Sequence, residues 1–272
     1  MAVQFETLEY DVGGTKTVVK AIGEGKPVLF LHGASTLEGF DFAEGLADRF
    51  RVLCPSHPGF GFSGAAPHVA AMSDMVLHYL NLLDVLDLPE KPHLMGFSMG
   101  GWMATELAGV ARERFDKVVL IAPAGLNDPA HPATDLGAVA PQDLPAYLAH
   151  DVAVALRYFP DGSDPAFAEA FGADRAREGE TLGRLLTPFG MGHPNLRRFL
   201  ARITNPTLVV WGTKDRMLPA SQAPLFVEAL PDARLILVED AGHFVQQEKP
   251  GTLTKIGDFL ARSTDFNEEK RS

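Results

Sequence analysis

The residues best suited to chemistry in this chain lie in His93 to Trp102, H-L-M-G-F-S-M-G-G-W. The string holds G-x-S-x-G as Gly96, Phe97, Ser98, Met99 and Gly100. An apolar run precedes it and a helix-forming, alanine-rich segment follows it. That is the strand–turn–helix setting in which a serine is pushed out of a sharp, strained turn. Such a turn leaves little room beside the serine, so Gly96 and Gly100 are required there for steric reasons. The helix directs the N–H of Met99 toward the reaction centre, where it can stabilise an oxyanion. The chemistry implied is nucleophilic attack by Ser98, which needs a base within hydrogen-bond reach. The competing reading of these ten residues is a Ser/Gly connection with no chemistry.

The elements that must position this serine are legible as alternating patterns. Val3 to Tyr10 and Lys16 to Ile22 flank Gly13-Gly14 and read as a β-hairpin. Short apolar runs follow at Val28–Leu31, Arg51–Cys54, His93–Phe97, Val118–Ile121, Thr207–Trp211 and Arg234–Val238. Runs of this kind suit strands covered on both faces, as in a parallel sheet. Between them lie helical patterns at Met72–Leu86, with Ser73 as a candidate N-cap, and at Met99–Ala111, Pro219–Leu230 and Leu253–Ala261. Strand alternating with helix implies an α/β fold with a mostly parallel, doubly wound sheet. From about Ala124 to Arg202 no good strand appears. Helical pieces there fall near Leu144–Phe159, Asp164–Phe171, Arg175–Leu186 and Pro194–Ile203. We read residues 125–202 as a helical cap inserted before the penultimate strand, with the core contributed by residues 1–124 and 203–272.

Composition narrows the function. The chain has 272 residues and a formal charge of −11, so nucleic acid is not an expected partner. No apolar run approaches the roughly 18 residues of a membrane helix. No secretory signal is evident, and the single cysteine, Cys54, reads as a strand residue. A cytoplasmic location is expected from these features. The last residues, T-D-F-N-E-E-K-R-S, read as a frayed tail. Nine histidines are scattered without an H-E-x-x-H or Cys/His cluster, so no metal and no cofactor is expected. The G-x-G-x-x-G string Gly59–Gly64, with Asp84 further on, is set aside as a dinucleotide fingerprint. It does not open a helix, and Asp84 sits within a helical pattern.

With its G-F-S-M-G-G string between strand and helix, the chain resembles the α/β-hydrolase superfamily over nearly its whole length. The resemblance implies a triad in the order serine, acid, histidine. Asp215, in W-G-T-K-D-R-M-L-P, matches the acid, and His243, in E-D-A-G-H-F, matches the histidine. Asp128 is the alternative acid, because some members carry it after the preceding strand. The segment L-H-G-A places His32-Gly33 where the family builds the other half of its oxyanion hole, with the N–H of Ala34 as donor. P-S-H-P-G-F-G-F-S resembles the family's D-x-P-G-x-G-x-S turn, with Ser56 where a structural aspartate is usual. Histidine suits the base because its ordinary pKa is about 6.5, and the carboxylate would fix its tautomer.

Substrate contacts are expected from His32, Phe97, Phe159, Phe189, Met191 and Phe244. Phe167 and Phe171 are expected to pack the cap, and His57 to make a loop hydrogen bond. One of Arg157, Arg184, Arg197 and Arg198 could hold a substrate carboxylate. The expected activity is hydrolysis of an ester or related acyl bond of a small or medium apolar molecule, with homo-oligomers possible. One alternative is a carbon–carbon bond hydrolase of aromatic ring-fission products, since the chain is similar to meta-cleavage-product hydrolases as well as carboxylesterases. The other is a ligand receptor on a hydrolase scaffold.

Overall fold

The computed structural model describes residues 4–188 and 190–262. Met1–Val3, Phe189 and the C-terminal tail expected to fray lie outside the described residues. The strands are β1 (Glu6–Val12), β2 (Thr15–Ile22), β3 (Lys26–Leu31), β4 (Phe50–Pro55), β5 (His93–Phe97), β6 (Val118–Ile121), β7 (Gly125–Leu126), β8 (Gly192–His193), β9 (Thr207–Gly212) and β10 (Ala233–Val238). Eight of them form one sheet in the order β1-β2-β4-β3-β5-β6-β9-β10. The β1–β2 and β2–β4 pairs are antiparallel, and the remaining neighbours are parallel.

Every residue of β5, β6 and β9 is buried. Helices cover both faces, which is why these strands read as unbroken apolar runs rather than alternating ones. Cys54 lies in β4, fully buried, and burial pushes its thiol pKa up. The chain runs outward from β3 to β4 and then returns to β5 on the other side of β3. The crevice at the carboxyl ends of β3 and β5 is therefore the switch point where open α/β sheets bind ligands.

Helix α1 (Met72–Val85) begins one residue after Ala71. Ser73 is already inside it, so it is not the N-cap that the sequence suggested. Met72 is buried and helical, which moves the boundary back. The Asp74 carboxylate reaches back instead and accepts the N–H groups of Ala70 and Ala71 at 2.9 and 3.0 Å. Helix α2 (Met99–Ala111) follows β5 directly and is buried on nearly every side.

Between β6 and β9 lie α3 (Pro145–Leu148), α4 (Val152–Leu156), α5 (Pro165–Leu186) and α6 (Leu196–Leu200). Two differences from the sequence reading have local causes. The expected helix over 144–159 is two short ones, because Asp151 turns its side chain onto the Ala153 N–H and starts α4 afresh. The expected pair 164–171 and 175–186 is one helix of 22 residues. Asp164 caps it through the N–H groups of Ala166 and Phe167. The gap between those pieces at residues 172–174 is helical too; the exposed Gly172 inside the helix costs only about 1 kcal/mol. The segment also contains strand after all, since β7 pairs in parallel with β8. Two-residue strands leave no apolar pattern to read. Helices α7 (Ala223–Ala229), α8 (Val245–Glu248) and α9 (Gly251–Ala261) complete the fold.

Candidate active site

Ser98 occupies the single-residue turn between β5 and α2, with φ 53° and ψ −119°. A non-glycine residue in such a conformation is strained by roughly 1–3 kcal/mol and needs support. The support is threefold. The Ser98 N–H donates to the Ile121 carbonyl at 2.9 Å, and its own carbonyl accepts from Ala124 N–H at 2.9 Å and Trp102 N–H at 3.1 Å. The flanking glycines are imposed by packing. A Cβ at Gly96 would lie 2.3 Å from the Gly100 carbonyl oxygen, and one at Gly100 would lie 2.0 Å from that of Leu31. The spacing of the motif is thus the footprint of helix α2 pressed against two strand ends.

Asp215 and His243 arrive on the loops after β9 and β10. The Asp215 Oδ1 atom accepts the N–H groups of Met217 and Leu218, both at 2.9 Å. Its Oδ2 accepts from His243 Nδ1 at 2.8 Å. That leaves Nε2 unprotonated and able to accept from the Ser98 hydroxyl, which lies 2.9 Å away. The side chains of His243 and Asp215 are 2% and 0% exposed. The Phe97 ring packs on the imidazole at 4.8 Å between centroids. The Phe244 N–H donates to the Leu148 carbonyl at 2.7 Å, tying the histidine loop to α3. Asp128, the alternative acid, is engaged elsewhere: it pairs with Arg197 at 3.2 Å and His131 at 3.5 Å.

Met99 is the first residue of α2, where an N–H has no acceptor within the helix. Ala34 follows Gly33, whose Cα runs so close to Ser98 that an added Cβ would lie 3.5 Å from the serine Cβ. Met99 thus adjoins the serine in the chain, the Gly33 backbone runs beside it, and Ala34 lines the adjoining cavity.

His32 is not among the residues lining that cavity. It is wholly buried, and both ring nitrogens are used. Nδ1 donates to the Gly33 carbonyl and Nε2 accepts from His57 N–H, each at 2.9 Å. His57 stacks on it at 3.5 Å, donates from Nε2 to the His32 carbonyl and holds the Tyr79 hydroxyl at Nδ1. Burial, above all, pushes the His32 pKa down to about 3, and that of His57 well below its ordinary value. The pair is a neutral brace under the loop that carries Ala34.

The cavity next to Ser98 has a volume of about 410 Å³. Phe97, Phe159 and Phe244 line it, as the sequence suggested, and Ser98 and His243 open into it. Met191 packs half-buried against the core and is not among the lining residues. Phe189 lies outside the described residues. Phe171, read as packing, forms part of the wall with Leu136 and Leu144. None of Arg157, Arg184, Arg197 and Arg198 reaches it; Arg184, for example, pairs with Glu180 at 2.8 Å. The arginine that does line the cavity is Arg175, and a glutamate, Glu38, lines it too. Neither had a distinguishing signal in sequence. Burial pushes the Glu38 pKa up to about 8, with further upward pressure from Glu178, against its own N–H, Arg175 and the Gly33 N–H. Arg175 pairs with Glu178 at 2.9 Å.

Among the described residues no group of three or more His, Cys, Asp or Glu is placed to hold a metal ion, and no helix is long and apolar enough to cross a membrane. The arrangement can perform serine-based acyl transfer: a hydroxyl hydrogen-bonded to a base, and a base oriented by a carboxylate.

Residues 26–250 match the family model described as alpha/beta hydrolase fold. The dihydrolipoyllysine-residue acetyltransferase component of the acetoin cleaving system of Pseudomonas putida is 32% identical over 82% of this chain. This chain spans 60% of that relative's length. The pimeloyl-[acyl-carrier protein] methyl ester esterase of Aeromonas hydrophila subsp. hydrophila is 28% identical over 83% of this chain and 91% of its own. The 2-hydroxymuconate semialdehyde hydrolase of Pseudomonas sp. (strain CF600) is 26% identical over 94% of both chains.

Proposed function

The chain belongs to the α/β-hydrolase fold family, and from that premise we propose that it hydrolyses an ester or related acyl bond of a small or medium apolar molecule through an acyl-enzyme on Ser98. The observation that carries this reading is the Ser98–His243–Asp215 relay, at 2.9 and 2.8 Å, opening into a largely apolar cavity of about 410 Å³. Ser98 Oγ attacks the carbonyl carbon as His243 Nε2 takes its proton. The tetrahedral oxyanion rests between the N–H groups of Met99 and Ala34. The imidazolium, stabilised by Asp215, returns its proton to the leaving alkoxide, and the C–O bond breaks. Water, deprotonated by His243, then attacks the acyl-serine and restores the free hydroxyl. The scheme needs no cofactor. The named activity of the Aeromonas relative, a methyl ester esterase, supports an ester as the bond cut.

Hydrolysis of p-nitrophenyl acetate, butyrate and octanoate by wild type and Ser98→Ala tests the reading. Turnover by wild type alone upholds it, and the preferred chain length sizes the cavity. Equal activity of both proteins overturns it.

A second reading, carbon–carbon bond hydrolysis of a ring-fission product, is favoured by the match to the semialdehyde hydrolase over almost all of both chains. Loss of the visible absorbance of such a product on adding the enzyme, with inactivity on the esters, would select it.

A further inference from the structure

We propose that Glu38, with Arg175 beside it, forms a polar subsite in the cavity that takes an uncharged oxygen acceptor of the substrate, such as a keto or amide carbonyl, in addition to the ester being cut. This rests on the ester-hydrolase reading. Glu38 is 5% exposed, yet its Oε1 has no hydrogen-bond partner among the described residues. Its surroundings are the apolar walls of the cavity, including Phe97, Leu144 and Phe159. Backbone N–H groups of Glu38 itself and of Gly33 reach the carboxyl, but a buried carboxyl with one oxygen left unpartnered is costly. The Nε and Nη1 atoms of Arg175 are also without partners. Two incompletely satisfied polar side chains thus meet in one otherwise greasy cavity, and a ligand oxygen entering with a small shift of either would satisfy them.

Charge decides which ligand. The Arg175 guanidinium is already paired with Glu178 at 2.9 Å. Glu178 is itself held by Thr36 Oγ1 at 2.6 Å, Thr36 N–H at 3.2 Å and Gly61 N–H at 3.0 Å. The charged groups facing Glu38 are these two from α5, and Asp41 and the Tyr158 hydroxyl lie in the same field. Arginine and Glu178 cancel, so a substrate carboxylate would enter a neutral site beside two carboxyl groups. A neutral acceptor escapes that charge repulsion and can take a hydrogen from the Arg175 guanidinium or from a protonated Glu38. Since Glu38 keeps its proton up to about pH 8, it offers an O–H at neutral pH. Above that pH it becomes an acceptor and repels the ligand oxygen. The preference is therefore present below about pH 8 and lost above it.

The test compares p-nitrophenyl 4-oxopentanoate, 5-oxohexanoate and 6-oxoheptanoate with the apolar esters of equal chain length. The readout is the kcat/KM ratio of keto to apolar ester. For at least one length the wild-type ratio at about pH 7 should exceed that of Glu38→Leu by about tenfold, the value of one good hydrogen bond. The wild-type ratio should collapse by about pH 9.5, whereas Glu38→Gln, which keeps a donor, should hold its ratio at both pH values. The wild-type pH profile needs no variant to fold. A ratio that is the same in wild type and Glu38→Leu at every length, or constant across that pH range, overturns the subsite while leaving the hydrolase reading intact. If wild type cuts none of the esters, the hydrolase reading fails. Calorimetric titration of Ser98→Ala with methyl 5-oxohexanoate and methyl hexanoate then reads the subsite directly. Tighter binding of the keto ester, lost in the Ser98→Ala/Glu38→Leu double variant, upholds it; equal binding overturns it.

Discussion

The Nε2 atom of His243 lies 2.9 Å from the Oγ atom of Ser98, although 145 residues separate them in the chain. Nothing local brings them together. Parallel pairing of β5, β6, β9 and β10 places the loops after these strands at one sheet edge, and Asp215, on the loop between, turns the imidazole toward the serine.

Asp215 holds His243 with one oxygen and two backbone N–H groups with the other. Asp215→Asn preserves the shape and the N–H contacts but offers His243 an amide. We expect a folded protein whose kcat falls by about 10⁴-fold, by analogy with the same change in other serine triads. Circular dichroism and ester kinetics on one preparation check this. Near-normal turnover would place the acid elsewhere.

The glycines of the serine turn should tolerate nothing larger. In Gly100→Ala the new Cβ would lie 2.0 Å from the Leu31 carbonyl oxygen, which is backbone and cannot swing away. A loss above about 3 kcal/mol, or failure to fold, is expected. Gly172→Ala, exposed within α5 and with no atom beyond its chain neighbours and the helix's own backbone within 4 Å of the new Cβ, should stabilise by about 0.5–1 kcal/mol. Urea unfolding midpoints of the two variants should therefore move in opposite directions.

Stability should respond to pH from two sides. Glu38 has its folded pKa raised from 4.5 to about 8, so the folded state binds the extra proton between these values. Its contribution is fully present below about pH 4.5 and is lost as pH rises through 8. His32 has its pKa depressed from 6.5 to about 3, so its contribution is present above about pH 6.5 and is lost as pH falls toward 3. Thermal melts of wild type and Glu38→Gln at about pH 5, 7 and 9 check the first of these. The variant should lose much of the decline between pH 5 and 9 that wild type shows. Parallel curves would mean that Glu38 is not held neutral.

Glu178 fastens α5 to the loops after β3 and β4 through Thr36 and Gly61, and it neutralises Arg175. Glu178→Ala would leave a partly buried guanidinium unpaired, a loss of about 3–5 kcal/mol. Limited proteolysis should then cut within residues 160–190 faster than in wild type. An unchanged cleavage rate would show that α5 is held by other contacts.

Legibility in the sequence followed the range of the forces involved. Strands β5, β6 and β9 are written as apolar runs because burial on both faces is a property of each strand by itself. The elbow around Ser98 was legible because its glycines answer to contacts a few residues away. Asp215 and His243 could be named only from their order after successive strands, as the resemblance implied. Glu38 and Arg175 could not be named, because their meeting depends on α5 crossing a loop 142 residues distant at the Thr36–Glu178 contact. Among several arginines on helical segments, only tertiary packing selects the one that faces the cavity. His32 misled for the same reason: its place beside Gly33 suggested the cavity, whereas its ring turns inward onto His57.

The most direct test is the mass of the enzyme during turnover. Wild type mixed with p-nitrophenyl butyrate, quenched in acid within the first turnovers and digested, should carry a butyryl group on the peptide containing Ser98. Ser98→Ala should carry none and release no p-nitrophenol above the buffer rate. Release of p-nitrophenol by Ser98→Ala at the wild-type rate, with no acylated Ser98 peptide in wild type, would contradict the account.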